Sequence, residues 1–359
     1  MVTEIGLEEM AMCLKYRDYY MSILKEILEI DSPVGYTDDI VKYIIGKIDE
    51  FGYKAILTKK GDISVCINPE SKDDGNSLWI GAHLDTLGGM VSYITDTGRL
   101  EISPLGSLSP NNTEAENVKV ITRNKKTYEG TFQMKNASSH VNPHLEKETR
   151  SFCNMEVVLD EDISNREDVL ELGINVGDIV AFDPKTRILD NGFIKSRFLD
   201  DKLGVSILLY LAYIFKMENI AIKRRIYFGF TVYEEVGHGG SSIFLPDISE
   251  VLSLDMGVVG DHINCTERKV SICVKDSKGP YSYDIVSSMV NIALNNNIDY
   301  VLDVYPLYSS DANTAMIAGV CAKHALIGPG VYASHGYERS HIDGVKNTVR
   351  LLYHYIQSS

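Results

Sequence analysis

The sequence predicts an α/β chain in which a mainly parallel sheet, covered by helices on both faces, is interrupted by a small inserted all-β domain. Three observations predict it. Apolar-rich runs at residues 78–82, 225–232 and 251–254 suit buried strands. Apolar residues recur at helical spacing between them, as at Leu203, Ile207, Leu211 and Ile214. From about Gly88 to Gly192 this rhythm gives way to alternating Thr, Val and Tyr with frequent turns.

In chain order, the first 50 residues read as two helices around the loop Asp31-Ser32-Pro33-Val34-Gly35-Tyr36. Thr37 is placed to cap the second, with Asp38 and Asp39 in its first turn and Ile40, Ile44, Ile48 and Phe51 facing a sheet. Extended runs at 55–57 and 63–67 precede the strand 78–82, which ends in His83-Leu84-Asp85. Strands at 118–122, 127–134 and 156–159 fall within the insert. The α/β order then resumes with a helix at 199–214, strands at 225–232 and 251–254, a helix at 282–294, a strand at 325–327 and a closing helix at 342–355. The expected domains are nested: residues 1–87 plus 193–359 form a discontinuous catalytic body, and 88–192 form the β insert.

The 359 residues are 44% hydrophobic and 24% charged, an ordinary globular balance. A net charge of −15 opposes binding to nucleic acid or to an anionic membrane surface, so neither is an expected partner. No stretch approaches the roughly 18 to 20 apolar residues that cross a bilayer. The acidic start MVTEIGLEEM is unlike a signal peptide, and a cytoplasmic protein is expected. Cys13, Cys66, Cys153, Cys265, Cys273 and Cys321 form no C-x-x-C pair and read as free thiols.

Residues able to bind metal fall where open α/β sheets build sites, beyond the carboxyl ends of strands. His83 and Asp85 follow one strand, Glu234 and Glu235 the next, Asp255 another, and His335 and His341 the last; Asp200-Asp201 opens a helix. Two positions apart, His83 and Asp85 share a face, so that the carboxylate could orient the imidazole. Adjacent acids at a strand end diverge, so Glu234 and Glu235 can divide between metal binding and proton transfer. Taken singly, each has a plainer explanation: a strand-end histidine, solvated loop acids, a helix cap or a turn. Their joint placement favours one site.

The ordered series Ala82-His83-Leu84-Asp85, Leu199-Asp200-Asp201-Lys202-Leu203-Gly204, Glu234-Glu235-Val236-Gly237, Leu254-Asp255 and Ser334-His335-Gly336-Tyr337-Glu338 resembles the tetrahedral-aminopeptidase family of dinuclear metallopeptidases, which includes glutamyl and deblocking aminopeptidases. The resemblance implies the dinuclear zinc-peptidase fold. It makes His83, Asp200, Glu235, Asp255 and His335 the metal ligands, with Asp200 bridging, Glu234 the general base, and Asp85 the carboxylate that orients His83. It also implies a cis peptide at Asp200-Asp201. In many relatives the last histidine and the following glutamate are four positions apart, whereas His335 and Glu338 are three apart, which keeps His341 as a rival ligand. His238 lacks a ligand counterpart.

Imidazoles and carboxylates without thiolates suit two divalent ions, Zn²⁺ or Co²⁺ first, with Mn²⁺ also compatible. The expected activity is metal-dependent removal of N-terminal residues from peptides with a free N-terminus. A homo-oligomer, dimer or dodecamer, is expected, assembled through the insert. The nearest alternative is a metal-dependent deacylase or specialised dipeptide hydrolase, because residues 333–341 with Ser310-Asp311-Ala312 resemble a branch of the family found with osmoprotectant-dipeptide biosynthesis. A metal-free glycosidase using Glu234 and a second carboxylate, and a non-enzymatic binding protein, are more distant alternatives.

Overall fold

The computed structural model describes residues 16–71, 75–243, 245 and 248–358; Cys13 and the N-terminal stretch discussed above lie outside the described residues. Helices α1 (Arg17–Leu28) and α2 (Asp38–Glu50) flank the loop at 31–36 and bury Ile23, Leu24 and Ile27, and Ile40, Ile44 and Ile48, respectively. Thr37 does occupy the N-cap of α2, but its side chain makes no capping hydrogen bond. Asp38 and Asp39 remain in the first turn, where negative charge is favoured. Strands β1 (Ala55–Leu57) and β2 (Ile63–Cys66) pair antiparallel and lead to β3 (Ser77–His83), buried along its whole length.

Six strands then close a small barrel: β4 (Gly88–Ile94), β5 (Leu100–Leu105), β6 (Glu116–Ile121), β7 (Thr127–Met134), β8 (Met155–Leu159) and β9 (Ile179–Phe182). Their order is β4-β5-β8-β7-β6-β9, around a core that includes Val91, Leu100, Val120, Phe132, Val157 and Phe182. Helix α3 (Arg166–Glu171) lies between β8 and β9 and starts in a capping box made by Asn165 and Asp168. The next two strands, β10 (Arg187–Ile188) and β11 (Phe193–Ser196), already belong to the large sheet.

The rest of the chain alternates α4 (Leu199–Met217), β12 (Ile226–Thr231), β13 (Ile248–Leu254), β14 (Gly257–Val259), β15 (Val270–Asp276), β16 (Gly279–Pro280), α5 (Tyr283–Asn295), β17 (Tyr300–Val304), α6 (Asp311–Ile317), β18 (Lys323–Tyr332), β19 (Glu338–His341) and α7 (Ile342–Gln357). The main path of the sheet is β1-β2-β12-β3-β13-β18-β19-β11-β10. Its centre, β12-β3-β13-β18, is all parallel, while β2, β15 and β19 add antiparallel neighbours. The strand expected at 325–327 is therefore only the middle of β18. Trp79 of β3 lies flat across two glycines: a Cβ on Gly81 or Gly229 would come within 1.8 or 2.1 Å of the indole. Among the described residues, no helix is long and apolar enough to cross a membrane.

Candidate metal centre

Because β12, β3, β13 and β18 are parallel, their carboxyl ends share one rim. His83 ends β3, Glu234 and Glu235 follow β12, Asp255 follows β13, and His335 follows β18. Asp200 arrives from the side, at the non-helical start of α4, and its peptide bond to Asp201 is cis. Phe198, Tyr233, Ala333 and His335 all have positive φ, so the approaches that carry Asp200, the two glutamates and His335 run through left-handed backbone, which is costly for non-glycine residues.

Asp200 sits between the two imidazoles. Its Oδ1 is 3.0 Å from His83 Nε2, and its Oδ2 is 3.5 Å from His335 Nε2, which is also 3.5 Å from Glu235 Oε2. His83, Asp200 and Glu235 present ligand atoms within 4.8 Å of one another, as do His83, Asp201 and Asp255. Glu234 Oε2 hangs 3.9 Å from His83 Nε2. His341 is elsewhere. It caps α7 by accepting the Asp343 N–H at Nδ1 (3.0 Å), and its Nε2 donates to the Asn191 carbonyl (2.9 Å).

Asp85 departs from its expected contact. His83 Nδ1 donates to the main-chain carbonyl of Asp85 at 2.8 Å, while the carboxylate lies 3.9 Å away. That carboxylate instead accepts the N–H groups of Glu234 (3.1 Å) and Glu235 (3.2 Å), so it holds the turn that carries both glutamates. The physical reason is that the carboxylate is engaged by those two N–H groups, which leaves the carbonyl as the ring's partner. The residue orients His83 and the glutamates by different atoms.

Two further acids complete the scaffold. Asp201 accepts the His83 N–H (3.2 Å) and the Gly204 N–H (3.1 Å). Glu338 accepts the Asp200 N–H and the His335 N–H, each at 3.0 Å. Arg197 connects this centre to the barrel: it donates to the Gly336 carbonyl at 3.3 Å and pairs with Glu116 at 3.1 Å. Behind Glu234, Asp311 accepts from Thr231 Oγ1 and from the Gly240 N–H, packed so closely that a Cβ on Gly239 would lie 2.3 Å from its carboxylate. Sequence reasoning missed Glu338 as a scaffold residue; its altered spacing from His335 was the available signal.

Crowding of acids dominates the electrostatics. Burial, then the neighbouring Asp200, pushes Glu235 up to about 8 and Asp255 up to about 7. Burial also raises Glu234, Asp201 and Glu338 well above the usual carboxylate range. Against its own burial, Asp200 is held below that range by His335 and His83. Burial would lower His335, yet Asp200 and Glu235 bring it up to about 10. Among the described residues no lysine or arginine lines the cleft, and the imidazoles His83 and His335 offset part of this cluster.

This donor set fits divalent ions. The Nδ1–H of His83 is committed to a carbonyl, which leaves Nε2 to face a cation, and the other donors are hard carboxylate oxygens. The buried Cys265 and Cys273 thiols, pushed up to about 12 by burial, are not among the residues lining the cleft. A sequence profile of the M42 glutamyl aminopeptidase family matches residues 63–351.

The chain belongs to the M42 glutamyl aminopeptidase family. This M42 peptidase is 41% identical over 338 residues to a candidate aminopeptidase, YhfE, of Bacillus subtilis (strain 168), with 94% of this chain and 97% of the relative covered. Its fold is shared with an aminopeptidase from the archaeon Desulfurococcus kamchatkensis, at a TM-score of 0.85 and 22% identity over 96% of each chain. It is also similar to the Pyrococcus horikoshii TET1 peptidase, with a TM-score of 0.83 and 20% identity, covering 95% of this chain and 100% of that one. That peptidase is described as able to assemble into a tetrahedron or a large octahedral shell. Family membership makes this M42 peptidase a metal-dependent aminopeptidase of a dinuclear metallopeptidase family.

Proposed function

We propose that the protein hydrolyses the N-terminal residue from peptides with Glu234 as general base. His83, Asp200 and Asp255 would hold one divalent ion, and Asp200, Glu235 and His335 a second. The observation that carries this reading is the carboxylate of Asp200, with one oxygen turned to each histidine. Zn²⁺ and Co²⁺ are the ions we put first, then Mn²⁺. Such ions, when bound, supply Lewis acidity to the scissile carbonyl and lower the pKa of a water towards 7.

The protein's own groups do the rest. Glu234 takes the proton of the attacking water and delivers it to the departing amine nitrogen. The Asp85 carboxylate fixes the backbone of Glu234 and Glu235, so that one side chain faces the substrate and the other the ions. The surrounding acids attract the free α-ammonium group of the peptide. Chelation is expected to abolish hydrolysis of aminoacyl p-nitroanilides, Zn²⁺ or Co²⁺ to restore it, and N-acetylated counterparts to stay inert. Faster turnover of the acylated compounds would replace this reading with a deacylase.

The ligand set makes its own prediction. His335→Ala should lower metal content from two ions to one per chain, measured by elemental analysis, while His341→Ala should leave it at two. Glu338→Gln, by loosening the backbone of Asp200 and His335, should weaken metal affinity by about 10- to 100-fold in calorimetric titration. Equal loss in the two histidine variants would reject His335 as ligand.

We also infer a cytoplasmic homo-oligomer, dimer or dodecamer, with residues 88–192 as the assembly unit. The barrel and the description of the Pyrococcus relative support this reading.

A further inference from the structure

Above the acidic cluster opens a cleft of about 580 Å³, large enough for a long amino-acid side chain. One wall comes from the segment after β13 and the loop between β17 and α6. Met256, Val258, Ile263 and Leu307 give this wall an apolar surface. Away from the proposed ligands and base, the lining contains one charged side chain, Asp261, which is exposed. Apart from His335, a proposed ligand, no histidine, lysine or arginine is among the described residues of the lining.

This lining discriminates by charge. A lysine or arginine side chain can lay its methylenes on the apolar wall and bring its charged end to Asp261 at the solvent edge. An aliphatic side chain would gain the wall contact alone. A glutamate or aspartate side chain would lose water against the wall and meet a like charge, with no basic partner to compensate it.

We propose that this cleft selects peptides beginning with lysine or arginine, accepts apolar residues second and rejects acidic ones, with Asp261 as the specificity-determining residue. The inference rests on the aminopeptidase reading above. It runs against the glutamyl preference in the family description, and it comes from the cationic groups the cleft lacks as much as from the acid it has.

The test is steady-state kcat/KM on the Zn²⁺-loaded protein with lysine, arginine, leucine and glutamate p-nitroanilides, for wild type, Asp261→Asn and Asp261→Lys. Lysine should exceed glutamate by at least roughly tenfold in wild type. The lysine-to-leucine ratio should fall about fivefold in Asp261→Asn, as expected for loss of one exposed ion pair. In Asp261→Lys the lysine-to-glutamate ratio should fall further. Glutamate matching or exceeding lysine in wild type, or a lysine-to-leucine ratio unmoved in both variants, would overturn the assignment while leaving the aminopeptidase reading intact. Hydrolysis of none of the four by metal-loaded wild type would overturn that reading, and the preference with it.

Discussion

Glu234→Gln should lower kcat for leucine p-nitroanilide by about 10²- to 10⁴-fold, the range set by loss of a general base. Metal content should stay at two ions per chain. The expectation follows from position. Glu234 is the acid that overhangs His83 at 3.9 Å, and its backbone is fixed by Asp85 whatever its own side chain does. Glutamine preserves volume and one acceptor oxygen but cannot carry a proton from water to the leaving nitrogen. Glu235→Gln should behave differently, reducing metal content along with turnover, because Glu235 faces His335. The decisive measurement is kcat on protein whose metal content has been verified. Wild-type turnover in Glu234→Gln at full metal content would remove Glu234 from the chemistry.

The second large effect is in stability against pH. In the metal-free fold, Glu235 rises from its ordinary 4.5 to about 8 and Asp255 from 3.8 to about 7, burial being the main cause and Asp200 the next. Between those limits the folded chain keeps protons that the unfolded chain has released. Stability must therefore fall as pH rises, by up to about 1.4 kcal/mol per pH unit for each such group. His335, brought up to about 10, extends the same loss above pH 6.5. Asp200, held below its usual range, works in the opposite sense, but its contribution is already complete above about pH 5. Divalent ions take the place of the retained protons and remove the penalty. The melting temperature of chelated protein should consequently drop from pH 6 to pH 8 while that of metal-loaded protein holds, widening the gap by about 5 °C. Scanning fluorimetry across this range checks it; a gap that narrows with pH would contradict the proposed ligands.

Much of this architecture could be read from the sequence because parallel strands announce themselves. The runs ending at His83, Thr231 and Leu254 are rich in apolar residues and largely buried, since both faces of those strands are covered, and site residues lie at or just after their ends. What escaped depended on long-range partners. Strand β19 is only Glu338-Arg339-Ser340-His341 and becomes a strand by pairing with β11 and β18. Its first residue then braces two site backbones at once. The spacing of His83 and Asp85 put both on one face but could not tell a carbonyl from a carboxylate as the ring's partner. Lys202, at the start of α4, depends on a long-range partner as well. In the fold it is buried, donates to the Ile30 carbonyl at 2.6 Å, and is lowered by burial to about 7.

The position of β18 bears on how the chain is made. It occupies the slot between β13 and β15, yet of the described strands only β19 is made after it. Until it emerges, both neighbours expose unpaired edges, a state prone to joining other chains. His335 and Glu338 follow it, so a nascent chain stalled before residue 323 should have an open sheet and no complete ion site. Closing the sheet and completing the centre are thus one late event, which would keep an unfinished chain from acting as a peptidase.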